Sequence, residues 1–284
     1  MPLNTAVQKS YIGSSYIYVI QRSGSNSYLS RCLINGTIAS HVDHMILTGF
    51  GHTQTLEFYS HNYESYFLIG CKANEDYSLK WATQIGRIKY VPGTTVNYTS
   101  IYRFSSLSYA NENGTSFGTI KRADAAISSD QNTLFLWAQD TTGEIQYSSY
   151  DFDGINDELD DLEQAGGTKY LSFSLLTDYC YGSFRQSGNN RVLPNGSCQG
   201  VEYNNADSIF IIGGNTGETP KIAKMMGSGS TYTYSYLATI NHNSFDNDTE
   251  TEGIQLKGNN IYFGIYDHDT GSNKIYYISK NIFN

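Results

Sequence analysis

Short apolar runs recur along the chain in one order, each bounded by Gly, Asn or Asp turns. "YIYVI" (16–20), "YFLIG" (66–70), "LFLWA" (134–138), "IFIIG" (209–213) and "IYFGI" (261–265) are apolar at nearly every position, as in strands covered on both faces. After turns such as "RSGSNS", "DTTGE", "GNTGET" and "DHDTGSN", a more amphipathic run follows each: "YLSRCLI" (28–34), "LKWATQIGRIKY" (79–90), "EIQYSSYDF" (144–152), "TPKIAKM" (219–225) and "KIYYISK" (274–280).

A third segment precedes every buried run. It reads polar–x–aliphatic–Glu/Gln–x in "QTLEF" (54–58), "QGVEY" (199–203) and "EGIQL" (252–256). "DAAIS" (124–128) keeps the acid and the aliphatic residues, and "TAVQK" (5–9) keeps Gln8 at the second polar position. The repeat therefore has three strands, with starts at 5, 54, 124, 199 and 252. A meander repeated at such intervals predicts an all-β, five-bladed β-propeller over residues 1–284, with blades of three to four strands. Uneven spacing places insertions at 91–121 and 153–195. Within the second, "DGINDELDDLEQAGG" has Ile155, Leu159 and Leu162 at helical spacing, but its many carboxylates favour a solvated acidic loop. Little chain is left at either end to complete a blade, so a three-stranded last blade, or closure by packing of the first blade on the last, is expected.

Composition agrees with a sheet protein: 25 Tyr, 13 Phe and 27 Gly against 4 Pro, with 16% charged residues. A net charge of −9 argues against nucleic acid as a partner, since phosphate binding needs a Lys/Arg surplus. No apolar run approaches the ~20 residues of a membrane-spanning helix. The start shows no basic and apolar signal-peptide pattern, so the chain is a mature form, leaves the cell by another route or stays inside. Cys180 and Cys198 flank one loop and could close it as a disulfide, although buried free thiols are the favoured reading for all four cysteines.

The repeated polar positions carry the candidate chemistry. The first strand of each propeller blade lines the central channel, so Gln54, Asp124, Gln199 and Glu252 would form one ring. Gln8, Glu57, Glu202 and Gln255 lie three residues along, on the opposite face unless a bulge intervenes, for which Gly200 and Gly253 are candidates. One reading has these groups bond to neighbouring blades and tie the ring. A second makes Gln54, Glu57, Asp124, Gln199, Glu202, Glu252 and Gln255 a site for a polyhydroxylated ligand. The carboxylates of Glu57, Asp124, Glu202 and Glu252 would also suffice for Ca²⁺, although no regular calcium loop is present and no other cofactor or metal is indicated. A third reading makes Asp124, Glu202 and Glu252 the acids of a glycoside hydrolase. "HVDH" (41–44) would point its two histidines to opposite faces of a strand, and His52 in "GHTQT" reads as a hydrogen-bonding turn residue. No nucleophile-elbow, phosphate-loop or dinucleotide motif occurs.

"GFGHTQTLEF" (49–58), "YFLIGCK" (66–72), "WATQIGRI" (81–88), "ADAAISSDQNTLFLWAQD", "YDFDGINDELDD", "CQGVEY" and "TEGIQL" together resemble the helveticin J family, large heat-labile bacteriocins of lactic acid bacteria. Where that family has a His-Ala-Glu-Ala-Ala motif, this chain has Arg122 for the histidine and Asp124 for the glutamate. The resemblance implies a secreted protein acting on other bacteria at the cell envelope, with a cell-wall glycan or another envelope component as partner. It supplies no catalytic residues. A lectin-like adhesion module without killing activity is the remaining alternative; oligomeric state and ligand identity are not encoded in any motif.

Overall fold

The computed structural model describes residues 3–228 and 231–283. Five small sheets stand in a ring, forming a five-bladed β-propeller. Blade 1 consists of β1 (Val7–Ile12), β2 (Tyr16–Ser23), β3 (Asn26–Asn35) and β4 (Ile38–Thr48). Blade 2 consists of β5 (Leu56–His61), β6 (Glu64–Ala73) and β7 (Ala82–Ile88); the following insertion adds β8 (Thr95–Asn97) parallel to β4, and β9 (Arg103–Ser105) beside β7. Blade 3 is built from β10 (Ile120–Ile127), β11 (Thr133–Asp140) and β12 (Ile145–Asp151). Helix α1 (Phe152–Ala165) follows, then β13 (Tyr170–Ser172) at the edge of blade 2 and β14 (Cys180–Gln186), the fourth strand of blade 3. Blade 4 comprises β15 (Gly200–Tyr203), β16 (Ser208–Gly213), β17 (Lys221–Ser228) and β18 (Thr231–Thr239). Blade 5 comprises β19 (Thr249–Lys257), β20 (Asn260–Asp267) and β21 (Ser272–Ser279), and has three strands, as the repeat spacing predicts.

Period-two alternation explains why the apolar runs sit mid-blade. Leu134, Leu136 and Ala138 of β11 face blade 2, whereas Phe135 and Trp137 face blade 4. Comparable apolar layers fill the spaces between blades 1 and 2 and between blades 4 and 5. The seam between blades 5 and 1 differs. Its buried apolar cluster is only Val7, Val19 and Cys32, and a cleft of about 1040 Å³ opens beside it. Polar bonds hold this seam: Asn273 Oδ1 accepts from Val7 N at 2.7 Å, Gln255 Oε1 from Ile12 N at 2.8 Å, and Lys257 Nζ donates to the carbonyls of Ile12 and Gly13 at 2.9 and 2.7 Å.

Two local expectations change and a third holds. The acidic segment is a helix, because Phe152, Ile155 and Leu159 form a buried stripe against blades 2 and 3 and Asp151 caps the Gly154 amide at 3.3 Å. The carboxylates occupy the faces left in water. In β4, Val42 is an extra residue: Arg31 pairs with Asp43 and Cys32 with His41. That bulge brings His41 and His44, expected on opposite faces, to 5.5 Å between ring centroids. Cys180 and Cys198 are unbridged and belong to different inter-blade layers, as the free-thiol reading holds.

Leu159→Ala is expected to cost about 2–5 kcal/mol of unfolding free energy, since the helix has few other apolar anchors. Leu33→Ala, at a largely exposed position, should change it by less than about 0.5 kcal/mol. Urea denaturation of both variants checks this.

Candidate functional site

The inner strands β1, β5, β10, β15 and β19 bring the repeated polar residues to the centre of the ring, where nearly all are buried. Two interlocked layers result. Near the end where these strands start, the Gln54 side-chain amide donates to Gln199 Oε1 at 2.6 Å and to Glu252 Oε2 at 3.3 Å, while Gln8 donates to Glu252 Oε1 at 3.2 Å. Arg122 Nη2 donates to Asp124 Oδ2 at 2.6 Å and to Gln54 Oε1 at 2.9 Å, and its Nη1 donates to the Cys198 carbonyl at 3.0 Å. Asp124 Oδ1 takes the Gln54 backbone N–H at 3.1 Å. The Arg122 guanidinium lies between Trp81, 3.9 Å from the ring centroid, and Trp137, at 5.0 Å. His52 stacks on Trp81 at 4.0 Å.

Deeper in the channel, Lys9 Nζ sits 2.6 Å from Glu202 Oε1 and 2.9 Å from Glu57 Oε1, with all three side chains buried. Glu202 Oε2 also accepts the Leu256 amide at 3.3 Å. Two backbone bulges make this convergence possible. Gly253 is the extra residue between Glu252 and Ile254, at φ +48°, and turns Glu252 and Gln255 to the same side. A Cβ there would lie 2.8 Å from the Gln8 carbonyl oxygen. Gln8 is the extra residue between Val7 and Lys9. Gly200, the other expected bend, is regularly paired with Ile212 instead; its missing side chain leaves room for Ile254, 3.1 Å from where a Cβ would be.

Burial reshapes the titration of this hub. Desolvation, then the Glu202 charge, push the Glu57 carboxyl up to about 8 against the opposing pull of Lys9. Burial, reinforced by Glu250, holds the Glu252 carboxyl well above its ordinary value despite the Gln54 and Gln8 amides. Burial alone would lower the Lys9 ammonium, but Glu202 and then Glu57 outweigh it and raise it. Burial thus favours the protonated forms of Glu57 and Glu252, while Arg122 pairs with Asp124 and Lys9 with Glu202. His52 is pressed down to about 3 by burial, then by Arg122 and Arg22, so its ring is neutral.

The channel opens to solvent beside Glu250. Gln199 Nε2 reaches Glu250 Oε1 at 3.5 Å, and Glu250 Oε2 pairs with His268 Nε2 at 2.7 Å and accepts from Thr216 Oγ1 at 3.2 Å. Six of the seven candidate residues thus lie around the hub, where Gln54 touches both Gln199 and Glu252, while Gln255 turns to the Ile12 amide at the seam of blades 5 and 1. Lys9, Arg122, Glu250 and His268 were missed as partners. Four acids in one channel were the available signal, since buried carboxylates require cations or protons.

Lys9→Met should destabilise the fold by about 3–5 kcal/mol, because buried Glu202 loses its cationic partner. The pH dependence has a definite sign. Folded Glu57 keeps its proton up to about pH 8, whereas the unfolded chain releases it above about 4.5. Stability therefore falls as pH rises through this range, on the order of 1 kcal/mol per pH unit for each such carboxyl. His52 acts oppositely but only below about 6.5. Thermal melts should thus show Tm decreasing from pH 6.5 to 8, and Glu57→Gln should flatten that slope.

Comparisons with known proteins place this architecture. The family model described as "Bacteriocin helveticin-J" matches residues 3–281. Bacteriocin helveticin-J of Lactobacillus helveticus is 27% identical over 225 residues, covering 72% of this chain and 64% of that protein. The chain therefore spans somewhat less than two thirds of that relative's length. Among solved structures, the exo-β-1,3-galactanase of Phanerochaete chrysosporium aligns at a TM-score of 0.47 and 12% identity, over 95% of this chain and 59% of that one. The WD40 domain of Toxoplasma gondii coronin aligns at 0.37 and 12%, over 96% and 70%. Matched along nearly its whole length by the family model, the chain belongs to the helveticin J bacteriocin family.

Proposed function

We propose that this protein is an exported antibacterial factor that recognises the envelope of other bacteria, with a cell-wall glycan or similar polyol as ligand, and does not cleave it. Family membership supports the antibacterial part. The observation that carries recognition over hydrolysis is the engagement of every channel acid. Asp124 is held by Arg122, Glu202 by Lys9 and the Leu256 amide, Glu252 by two glutamine amides, and Glu57 by Lys9. A hydrolase needs one acid free to protonate a leaving oxygen and another free to attack or to activate water.

The ligand would meet the channel rim, where Gln199, Glu250, His268 and Thr216 offer donors and acceptors to hydroxyls. Gln54, Glu57, Asp124, Glu202, Glu252 and Gln255 would hold that rim from beneath. Among the described residues, no helix is long and apolar enough to cross a membrane, so the proposal routes contact through the wall or its surface.

Purified walls of lactic acid bacteria provide the test. Sedimentation should carry the protein down with the walls without releasing sugar, and the double variant Gln199→Ala/Glu250→Ala should weaken binding at least tenfold while circular dichroism stays unchanged. Sugar release that disappears in Asp124→Asn or Glu252→Gln would establish the hydrolase instead. Absence of wall binding would sink the recognition reading.

A further inference from the structure

We infer that the contact between α1 and the β5–β6 hairpin is a binding site for one divalent transition-metal ion, with His61 Nε2, Asp157 and Asp160 as ligands. It lies apart from the channel, on the outside of blades 2 and 3. His61 ends β5, and Asp153, Asp157 and Asp160 occupy one face of α1 at i, i+4 and i+7. The ligand atoms of His61, Asp157 and Asp160 all lie within 4.8 Å of one another.

The tautomer of His61 follows from its neighbours. The imidazole is more than nine-tenths buried. The Asn62 side-chain nitrogen hydrogen-bonds to Nε2 at 3.1 Å and to Asp160 Oδ2 at 2.8 Å. An amide nitrogen only donates, so Nε2 presents its lone pair there. The ring proton is then on Nδ1, which faces Asp153 Oδ1 at 3.2 Å. The lone pair of Nε2 is flanked by Asp157 Oδ1 at 3.3 Å and Asp160 Oδ2 at 3.2 Å. Nε2, Asp157 Oδ1 and Asp160 Oδ2 thus converge on one point, bridged on one side by the Asn62 amide, which a bound ion would replace.

Those separations fit a coordination sphere. Metal–ligand bonds of about 2.0–2.2 Å place adjacent ligand atoms about 3.0–3.4 Å apart, from octahedral to tetrahedral angles. The outer groups match as well. Asp153 on Nδ1 fixes the ring as second ligands of metal-bound histidines do, and Arg87 Nη2 holds the other oxygen of Asp160 at 2.5 Å. Charge points the same way. The carboxylates of Asp153, Asp157 and Asp160 gather around one imidazole, while the Arg87 guanidinium pairs with Asp160 and Glu163. One imidazole with two carboxylates suits Zn²⁺ or Mn²⁺ better than Ca²⁺, which prefers oxygen ligands alone. Exposed Asp153 and Asp157 leave an open side for water ligands. Such an ion would tie the inserted helix to blade 2.

Calorimetric titration of the tag-free full chain with ZnCl₂, and Mn²⁺ titration followed by loss of the aqueous Mn²⁺ EPR signal, test this. One ion per chain at micromolar affinity or better is expected, with a Tm rise at saturating metal. Asp157→Asn, an exposed side chain that should leave folding intact, should weaken binding at least tenfold and remove the Tm rise, and His61→Asn should do the same. Binding weaker than millimolar, or a site unchanged in both variants, would overturn the inference.

Discussion

A buried lysine between two buried glutamates is the constraint around which this propeller is organised. Lys9, Glu57 and Glu202 come from blades 1, 2 and 4 and meet where water cannot reach them. Charges in such a place must balance, since each unpaired ion would carry several kcal/mol of desolvation. The balance extends to the upper layer, where Arg122 takes Asp124 and amides take Glu252. Two of the four acids of the hub, Glu57 and Glu252, are held toward the protonated form by burial. Ring geometry and protonation state are therefore one problem, solved by strands from all five blades.

The same constraint explains how the ring closes. Four inter-blade spaces are filled by apolar layers, but the seam of blades 5 and 1 has little such filling. There the chain relies on side chains of blade 5 bonding backbone groups of blade 1, with Gln255, Lys257 and Asn273 as the clasps. Polar closure at the seam and a polar hub are continuous, because both are built on β1 and β19. The polar groups that the hub does not engage lie at the rim and on the insertions.

Much of the fold was legible because its signal is local. "LFLWA" and "IFIIG" read as strands covered on both faces, and five copies of one triplet count the blades. The inner polar residues were legible as a set, since no buried strand begins with Gln and Glu without a reason. Lys9 escaped notice because its partners lie about 50 and 190 residues away, and because the Gln8 bulge disguises its direction. The α1 helix was misread because carboxylates outnumber its apolar residues; its stripe gains stability only against the layers of blades 2 and 3. The two histidines of "HVDH" were misdirected by a single extra residue, Val42, which no periodicity announces.

The sequence by itself determined the strand order, the blade count, the placement of insertions and the family, because alternation, turn chemistry and motif order are properties of neighbouring residues. Only the tertiary structure decided which acids keep protons, which cations they meet, and that His61 faces three aspartates of a distant helix. Those outcomes depend on burial and on distances across the ring, and an electrostatic energy that varies with both is set by the assembled fold.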